Sequence, residues 1–234
     1  MFDCHCHILP GIDDGSKNVL MSLDMLDMEV RQGVEGIIFT PHFYADMMSP
    51  EHFLEKRAGA LAELEANLYR LPMYPQYIAG SEVHYFRGMS RVDGIESLCI
   101  GNSDYILIEM PFRDWQANFI DEIEEMSTVL GLKVIIAHIE RYFDKDKRLI
   151  NRLIDNPNFL IQCNAEFFID KSTQGKALRF LKSGRIDLLG TDCHRNDKRM
   201  PNLADAVEII SRKDKKGSLN HINSVSRKIF DAAI

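Results

Sequence analysis

The first seven residues place two histidines two positions apart. His5 and His7 belong to a short apolar segment, and side chains two residues apart in a strand point to the same face. Two neutral imidazoles on one face supply half of a metal site. An H-x-H pair alone is weak evidence for such a site. The rest of the chain strengthens it, because nearly every apolar run ends in a residue that can bind a metal.

These residues must be positioned by alternating apolar and amphipathic segments. Short apolar runs predict strands over residues 1–7, 34–40, 74–80, 103–108, 133–137, 159–163 and 186–190. Helical spacing predicts helices over residues 19–30 (with Ser16 as N-cap), 51–69, 118–130, 146–154, 174–182, 203–212 and 218–232. This alternation favours a parallel sheet, and seven such units fit an irregular α/β barrel better than an open sheet.

In a parallel barrel, the carboxyl ends of all strands face one cavity. Eight residues with nitrogen or carboxylate ligand atoms are predicted at these ends. One such residue at a strand end could be chance, but eight together are much harder to explain by chance. They are His5, His7, His42, Glu82, Glu109, His138, Asp192 and His194. Asp13 and Asp14 follow the first strand, and either could add one more carboxylate.

Eight or nine ligands are too many for one ion. They predict two or three ions, with a carboxylate such as Glu109 bridging them, and each ion keeps positions open for water. Imidazole with carboxylate suits zinc, iron or manganese. Two ions about 3.5–4 Å apart can hold a bridging hydroxide and clamp a phosphoryl oxygen. Phosphate ester hydrolysis is therefore the chemistry that the ligand set favours.

Composition sets the broader limits. The 234 residues are 45% hydrophobic, which is enough for one sizeable core, and we expect a single domain over residues 1–234. The net charge of −7 disfavours broad nucleic-acid binding, although a few arginines could still hold a phosphorylated substrate. The five scattered cysteines do not form a disulfide pattern and favour the cytoplasm. No signal peptide or membrane span is predicted.

Several motifs together resemble the PHP (polymerase and histidinol phosphatase) superfamily, and within it the bacterial manganese-dependent protein-tyrosine phosphatases of capsule and exopolysaccharide operons. The resemblance covers the chain from Met1 to about Leu203. The His-Ile-Glu-Arg-Tyr run and the placement of Arg199 are its specific parts. The motifs are Asp3-x-His5-x-His7, Asp13-Asp14-Gly15, Thr40-Pro41-His42, Gly80-Ser81-Glu82, Glu109, His138-Ile139-Glu140-Arg141-Tyr142 and Thr191-Asp192-Cys193-His194.

The resemblance implies a distorted seven-stranded (βα)7 relative of the TIM barrel. It implies two or three divalent ions, manganese first and iron or zinc as alternatives. Arg141 and Arg199 would hold the phosphate, and the substrate would be phosphotyrosine on the tyrosine-rich tail of a bacterial tyrosine kinase. The implied metal ligands are His5, His7, Asp14, His42, Glu82, Glu109, His138, Asp192 and His194. The choice of Asp14 over Asp13 rests on the family pattern.

Three alternatives stay open at this point. Cys193 and Arg199 have the C-x5-R spacing of cysteine-dependent phosphatases, but residues 194–198 contain no glycine, and Asp192 would raise the thiol pKa. A small-molecule phosphatase, such as a histidinol-phosphate phosphatase, could use the same metal site. A metal-binding scaffold protein without turnover is the third, and the full ligand set argues against it.

Aromatic residues follow four of the strand ends. They could form an apolar rim that binds a phenyl ring, or they could be the small cores that long loops need. The residues are Phe43, Tyr44, Tyr85, Phe86, Phe112, Trp115, Tyr142 and Phe143. Three further histidines, His52, His84 and His221, fit no strand end and are expected to be ordinary surface or structural residues.

Overall fold

The computed structural model describes residues 1–214 and 217–234 as an α/β fold. Its described strands are β1 (Phe2–Cys6), β2 (Gly36–Phe39), β3 (His42–Phe43), β4 (Gln76–Ala79), β5 (Glu82–His84), β6 (Tyr105–Glu109), β7 (Lys133–Ile136), β8 (Phe159–Asn164) and β9 (Leu188–Gly190). The described helices are α1 (Val19–Arg31), α2 (Pro50–Glu65), α3 (Ala117–Thr128), α4 (Lys147–Ile154), α5 (Glu166–Ile169), α6 (Gln174–Lys182), α7 (Leu203–Lys213) and α8 (Ser218–Ala233).

All of the paired strands run parallel, in the orders β1-β2-β4 and β3-β5-β6-β7-β8-β9. Two residues separate β2 from β3 and β4 from β5, so the nine segments form seven strand positions. Pro41 lies in the first interruption, where it has no N–H to continue the ladder. The sequence pattern did not predict β3 and β5 as separate extensions.

Backbone hydrogen bonds close the sheet between its first and last strand positions. His7 N donates to the carbonyl of Cys193 (2.9 Å), and Asp192 N donates to the carbonyl of His5 (2.7 Å). Gly190 allows this approach, because a Cβ there would lie 2.5 Å from the Cβ of His5. The predicted distorted seven-stranded barrel is confirmed, and its seam between β1 and β9 lies beside the histidines of the first motif.

Alternate strand residues belong to two different cores. Ile106 and Ile108 of β6 pack with the outer helices, whereas Leu107 and its neighbour Ile135 of β7 pack in a second cluster. That cluster also contains Phe2 and the α8 residues Ile229, Phe230 and Ala233, so α8 covers the amino end of the barrel. None of the helices described is long and apolar enough to cross a membrane.

One predicted helix cap and one predicted helix end are wrong, although α1 begins at Val19 as expected. Asn18, and not Ser16, caps α1, and its side chain accepts a hydrogen bond from Met21 N (3.1 Å). Ser16 is buried, and its hydroxyl pairs with that of Ser22 (2.8 Å). Helix α2 ends at Glu65 rather than Tyr69. The amide of Asn67 binds the carbonyl of Glu63 (2.9 Å), and such a side-chain bond competes with continued helix.

Candidate metal centre

The predicted ligands meet at the carboxyl end of the barrel. His5, His7, Glu82, Glu109, His138, Asp192 and His194 are buried there. His42 is partly buried, and Asp14 is the most exposed of the nine, with 70% of its side chain accessible. We call these nine residues the metal cluster.

Glu82 lies at the centre of the metal cluster. Its Oε2 is 3.2 Å from His5 Nε2, 3.3 Å from His7 Nε2 and 2.9 Å from His42 Nδ1. Its Oε1 is 2.9 Å from His138 Nε2. One carboxylate therefore contacts four imidazoles, two from the end of β1, one from β3 and one from the segment after β7.

The remaining carboxylates connect the other histidines. Asp192 Oδ1 is 3.4 Å from His7 Nε2 and 3.5 Å from His194 Nδ1. Asp14 Oδ1 is 3.4 Å from His194 Nε2. Glu109 Oε1 is 3.4 Å from His138 Nε2. Within the metal cluster, three sets of side chains have one possible ligand atom each within 4.8 Å of the others: His7, Asp14, His42 and His194; His5, His7 and Asp192; and His42, Glu82 and Glu109.

Asp13 and Asp14 have different positions. Asp13 Oδ2 is 2.8 Å from His7 Nδ1 and accepts the backbone N–H of His42 (3.0 Å), while its Oδ1 accepts Gly15 N (3.0 Å). Asp13 therefore orients His7 from behind, as carboxylates commonly do for metal-binding histidines. Asp14 extends toward His42 and His194. This geometry supports Asp14 as the ligand candidate of the two.

Buried atoms without hydrogen-bond partners test whether cations fit here. Among the described residues, His42 Nδ1, Glu82 Oε2, His138 Nδ1 and His194 Nε2 have no such partner. The first two lie only 2.9 Å apart, so they approach each other without hydrogen-bond geometry. Each unsatisfied buried polar atom costs about 1–3 kcal/mol. Divalent ions would satisfy His42 Nδ1, Glu82 Oε2 and His194 Nε2, whereas His138 Nδ1 points to no carboxylate of the cluster. A mixture of imidazole nitrogen and carboxylate oxygen suits zinc, iron or manganese.

The electrostatics of the cluster also favour cations. Burial alone would raise the pKa of Glu82, but the charge of His5 and hydrogen bonds from His138 and His42 hold it well below its usual value. Burial also opposes ionisation of Asp192, and His5, His7 and Arg141 likewise hold its pKa well below the usual value. Burial would lower the pKa of His138, yet Glu109 and Glu82 raise it to about 9. The carboxylates are thus ionised at neutral pH and attract protons or metal ions.

A second layer of amides supports the cluster. Gln162 Oε1 is 3.3 Å from His5 Nδ1 and accepts the backbone N–H of His138 (2.6 Å). Gln162 Nε2 donates to Asn164 Oδ1 (2.9 Å), and Asn164 Nδ2 donates to Asp192 Oδ2 (2.8 Å). Gln162 was not among the residues predicted from the sequence. The feature that could have identified Gln162 is a polar residue inside the apolar segment of β8. The structure shows that Gln162 is fully buried there.

His84 is a second residue that the sequence analysis placed wrongly. Its Nδ1 lies 2.8 Å from Glu109 Oε2, so it is part of the site rather than an ordinary surface histidine. It was missed because β5 was not predicted, and alternation from Glu82 puts both side chains on the same face.

Both arginines contact Asp192. Arg141 Nη2 pairs with Asp192 Oδ2, and Arg199 Nη2 lies 2.7 Å from Oδ1 and donates to the backbone carbonyl (3.2 Å). Their side chains are 33% and 46% exposed, so they form the solvent-facing edge of the cluster. Three non-glycine residues described here have left-handed backbones, His138, Asp192 and Arg199, and all are at this site. Strained backbones of this kind are typical of functional sites.

The eight aromatic residues after the strand ends divide between the two alternatives. Phe43, Tyr85, Trp115 and Tyr142 are buried and pack inside the loops. Phe112 is 51% exposed, and its ring is stacked over His138 with a centroid distance of 6.2 Å. Tyr44 lies beside His42 (5.2 Å between centroids) and His84 (5.4 Å). Phe112 and Tyr44 therefore remain as candidate ring contacts next to the metal cluster.

The cysteine alternative does not agree with the geometry. Cys193 is fully buried in a hydrophobic cluster with Cys6, and its Sγ is 4.0 Å from Glu29 Oε1. The thiol therefore lies away from Arg199 and from solvent. Cys4 and Cys6 are buried core residues, as predicted.

Comparisons with known proteins agree with these observations. The family model "Capsular polysaccharide synthesis, CpsB/CapC" matches residues 1–228. The tyrosine-protein phosphatase CpsB of Streptococcus agalactiae is 30% identical, over 95% of this chain and 94% of that protein. This chain belongs to the CpsB/CapC family.

Further relatives agree in sequence and in fold. The tyrosine-protein phosphatase YwqE of Bacillus subtilis is 26% identical, over 91% of this chain and 84% of that protein. A solved chain from the crystal structures of YwqE and of CpsB from Streptococcus pneumoniae, described as unique metal-dependent tyrosine phosphatases, superposes with a TM-score of 0.83 at 22% identity. It covers 100% of this chain and 96% of its own length. The predicted family is therefore confirmed.

Proposed function

We propose that this protein is a metal-dependent protein tyrosine phosphatase. The observation that carries the proposal is the metal cluster around Glu82, with Arg141 and Arg199 directly beside it. Family membership and the phosphatase activity in the names of the relatives support it. The proposed ligands are His5, His7, Asp14, His42, Glu82, Glu109, His138, Asp192 and His194.

Two or three divalent ions, manganese first and iron or zinc as alternatives, would supply Lewis-acid chemistry and a water of lowered pKa. The protein's own groups do the rest. Arg141 and Arg199 grip two phosphate oxygens with planar guanidinium groups and stabilise the charge that shifts as the ester bond breaks. Asp13, Gln162 and Asn164 fix the orientation of His7, His5 and Asp192.

Phe112 and Tyr44 support an aromatic substrate. Their rings flank the cluster at His138 and His42, so a phenyl group entering beside the arginines would contact apolar surface. The proposed substrate is phosphotyrosine in a flexible segment, because a tyrosine within a folded domain could not reach the cavity. We infer that it lies on the tail of a bacterial tyrosine kinase that controls capsule or exopolysaccharide synthesis.

We also propose that residues 1–234 form one catalytic domain, since the first strand closes the barrel against the last. A cytoplasmic location is proposed because all five cysteines are buried free thiols, which suits a reducing compartment.

The test combines metal removal with a substrate panel. Chelation should abolish hydrolysis of a phosphotyrosine peptide, and manganese, iron or zinc, added separately, should restore it to different extents. Cys193→Ser is the matched control and should keep its activity, because the thiol points away from the site. Loss of activity in Cys193→Ser with metals still bound would contradict the proposal. If kcat/KM is higher for histidinol phosphate than for phosphotyrosine, the substrate is a small phosphorylated molecule and the tyrosine assignment is wrong.

A further inference from the structure

A groove leads away from the arginines on the side of α5. A cavity of about 420 Å3 opens next to Asp192, and a second of about 200 Å3 continues from it. Arg141, Asn164 and Glu166 line both cavities, so the two are lobes of one groove. Asn202 lines the first lobe, and Glu140 and Asp170 line the second. We call this the flanking groove, and its volume is in the range of pockets that bind ligands.

The charges of the flanking groove change along its length. Its inner end contains Arg141 and Arg199, both paired with Asp192. Its outer lobe, the second one, adds Asp170 and Glu140 to Glu166, which lines both lobes; Glu166 and Asp170 are exposed. Arg141 is the one basic residue lining the second lobe among the described residues. The groove is therefore cationic where the phosphate would bind and anionic farther out.

Two buried oxygens on residues of the groove have no hydrogen-bond donor among the described residues. These atoms are Glu140 Oε2 and Asn202 Oδ1. The amide of Asn202 is fixed, because its Nδ2 donates to Glu166 Oε2 (2.9 Å), and this leaves its oxygen as an acceptor. Buried acceptors without donors are rare in native proteins. Asn202 lines the first lobe, so a ligand that brings N–H groups there would supply the donor that its side-chain oxygen lacks.

The residues on either side of a phosphotyrosine in a peptide can supply both N–H donors and positive charge. Its backbone supplies N–H donors, and a lysine or arginine side chain supplies positive charge for the outer carboxylates. An acidic residue there would face Glu166 and Asp170 and be repelled. The inner arginines would meanwhile hold the phosphate, so one extended segment satisfies both ends.

We propose that the flanking groove binds the residues next to the phosphotyrosine, and that Glu166 selects substrates with a lysine or arginine there. This rests on the phosphatase activity proposed above. Glu166 is suited to this role because it lines both lobes and its carboxylate is exposed at the start of α5. Its contact with Asn202 holds the carboxylate at the groove.

The test uses phosphotyrosine peptides that differ only in having lysine or glutamate at the flanking positions, on one side and then on the other. On one of the two sides, the wild-type enzyme should prefer the lysine peptide by about 3- to 5-fold in kcat/KM, mostly through KM, as expected for one partly exposed ion pair. Added salt should reduce the preference. Glu166→Gln should remove it while keeping the bond to Asn202, and Glu166→Lys should reverse it.

Glu63→Lys is the matched control, because it makes the same charge change on the exposed face of α2 and should leave the preference unchanged. Free phosphotyrosine separates this proposal from the one on which it rests. If free phosphotyrosine is hydrolysed but wild-type enzyme treats the peptides equally on both sides, or Glu166→Lys keeps the wild-type preference, the groove proposal is wrong and the phosphatase stands. If none of these substrates is hydrolysed, both proposals fail.

Discussion

Two groups of buried carboxyls lie along β1, and their ionisation differs. In the metal cluster, Glu82 and Asp192 have pKa values well below normal, although burial opposes ionisation. Asp3 and Glu29, which we call the seam pair, are equally buried, and burial raises the pKa of both. The two groups are close to each other. Asp3 of the seam pair and His5 of the metal cluster are two residues apart in β1.

The difference comes from the partners and not from the degree of burial. Histidines and arginines surround Glu82 and Asp192, whereas no cation is among the groups that shift the pKa of Asp3 or Glu29. Asp3 instead accepts hydrogen bonds from His5 N (3.2 Å), Thr191 N (2.9 Å) and Thr191 Oγ1 (2.5 Å). Asp3 of the seam pair therefore joins β1 to the segment after β9, whereas the carboxylates of the metal cluster stay ionised and can bind cations.

Removing a histidine from the metal cluster should give the largest effect. His5→Ala deletes an imidazole that contacts Glu82 and Asp192, and no neighbour can replace its lone pair. We expect loss of bound metal and a fall in kcat of about 10³-fold or more, as expected for several kcal/mol of metal catalysis. Turnover, metal content and circular dichroism should be measured on the same sample. His52→Ala, on the exposed face of α2, is the control, and full metal content with normal kcat in His5→Ala would refute the ligand assignment.

Arg199→Ala should give the next largest effect. Its guanidinium contacts Asp192 Oδ1 and would contact the phosphoryl group, so its loss should lower kcat by about 10²–10³-fold, as for one oxyanion donor. Arg199→Lys should recover part of the rate, because it restores charge but not the planar fork. Arg195→Ala, in the same loop, is the control and should change kcat little. An effect confined to KM would mean that Arg199 binds substrate without stabilising the transition state.

The carboxyl ends of parallel strands face one cavity, and this rule explains how much of the site could be predicted. His5, His7, Glu109 and Asp192 follow or end apolar runs, so topology alone predicted that they converge. Topology does not say which side chains face one another across the barrel. Glu82 as the central contact and His84 beside Glu109 depend on β5, a three-residue strand too short to show a pattern.

The seam pair shows a second limit. Asp3 is in the first motif, but Glu29 lies on the helix α1, where its acidic side chain predicts solvent exposure. It is fully buried because α1 packs its inner face against the seam at Cys193. Which residue of an amphipathic helix faces the seam depends on tertiary packing, so no sequence pattern connects Glu29 with Asp3. The buried aromatic residues of the rim were ambiguous for the same reason.

Asp13→Asn should sharpen the comparison within the metal cluster. The carboxylate of Asp13 pairs with His7, which keeps the pKa of His7 well above normal despite burial, and keeps that of Asp13 below normal. An asparagine can still accept one hydrogen bond but lacks the charge that orients the ring. We expect metal affinity to fall by about 10- to 100-fold, as for other second-layer partners. Calorimetric titration should show this, and unchanged affinity would make Asp13 a loop residue only.

Glu29→Gln should have the smallest effect, and its sign tests the seam pair directly. Below pH 4.5, the usual pKa of a glutamate, Glu29 holds its proton in the folded and in the unfolded chain. As pH rises above that value, the unfolded chain releases the proton, whereas the folded chain keeps it because burial raises the pKa. The contribution of Glu29 to the free energy of unfolding of the wild type therefore decreases with pH until the folded pKa of Glu29 is reached.

Glu29 shares a side-chain hydrogen bond with Asp3. Glutamine does not titrate and its amide N–H can still donate to Asp3, so Glu29→Gln avoids that loss. The variant should match the wild type near pH 4 and become more stable as pH rises to 8, by about 2–4 °C in Tm for each kcal/mol recovered. Both proteins should be unfolded after chelation, so that bound metal does not contribute to the difference. Glu63→Gln, exposed on α2, should show no such pH dependence. A constant difference between Glu29→Gln and wild type from pH 4 to 8 would mean that Glu29 is ionised in the fold, and the contrast with the metal cluster would then disappear.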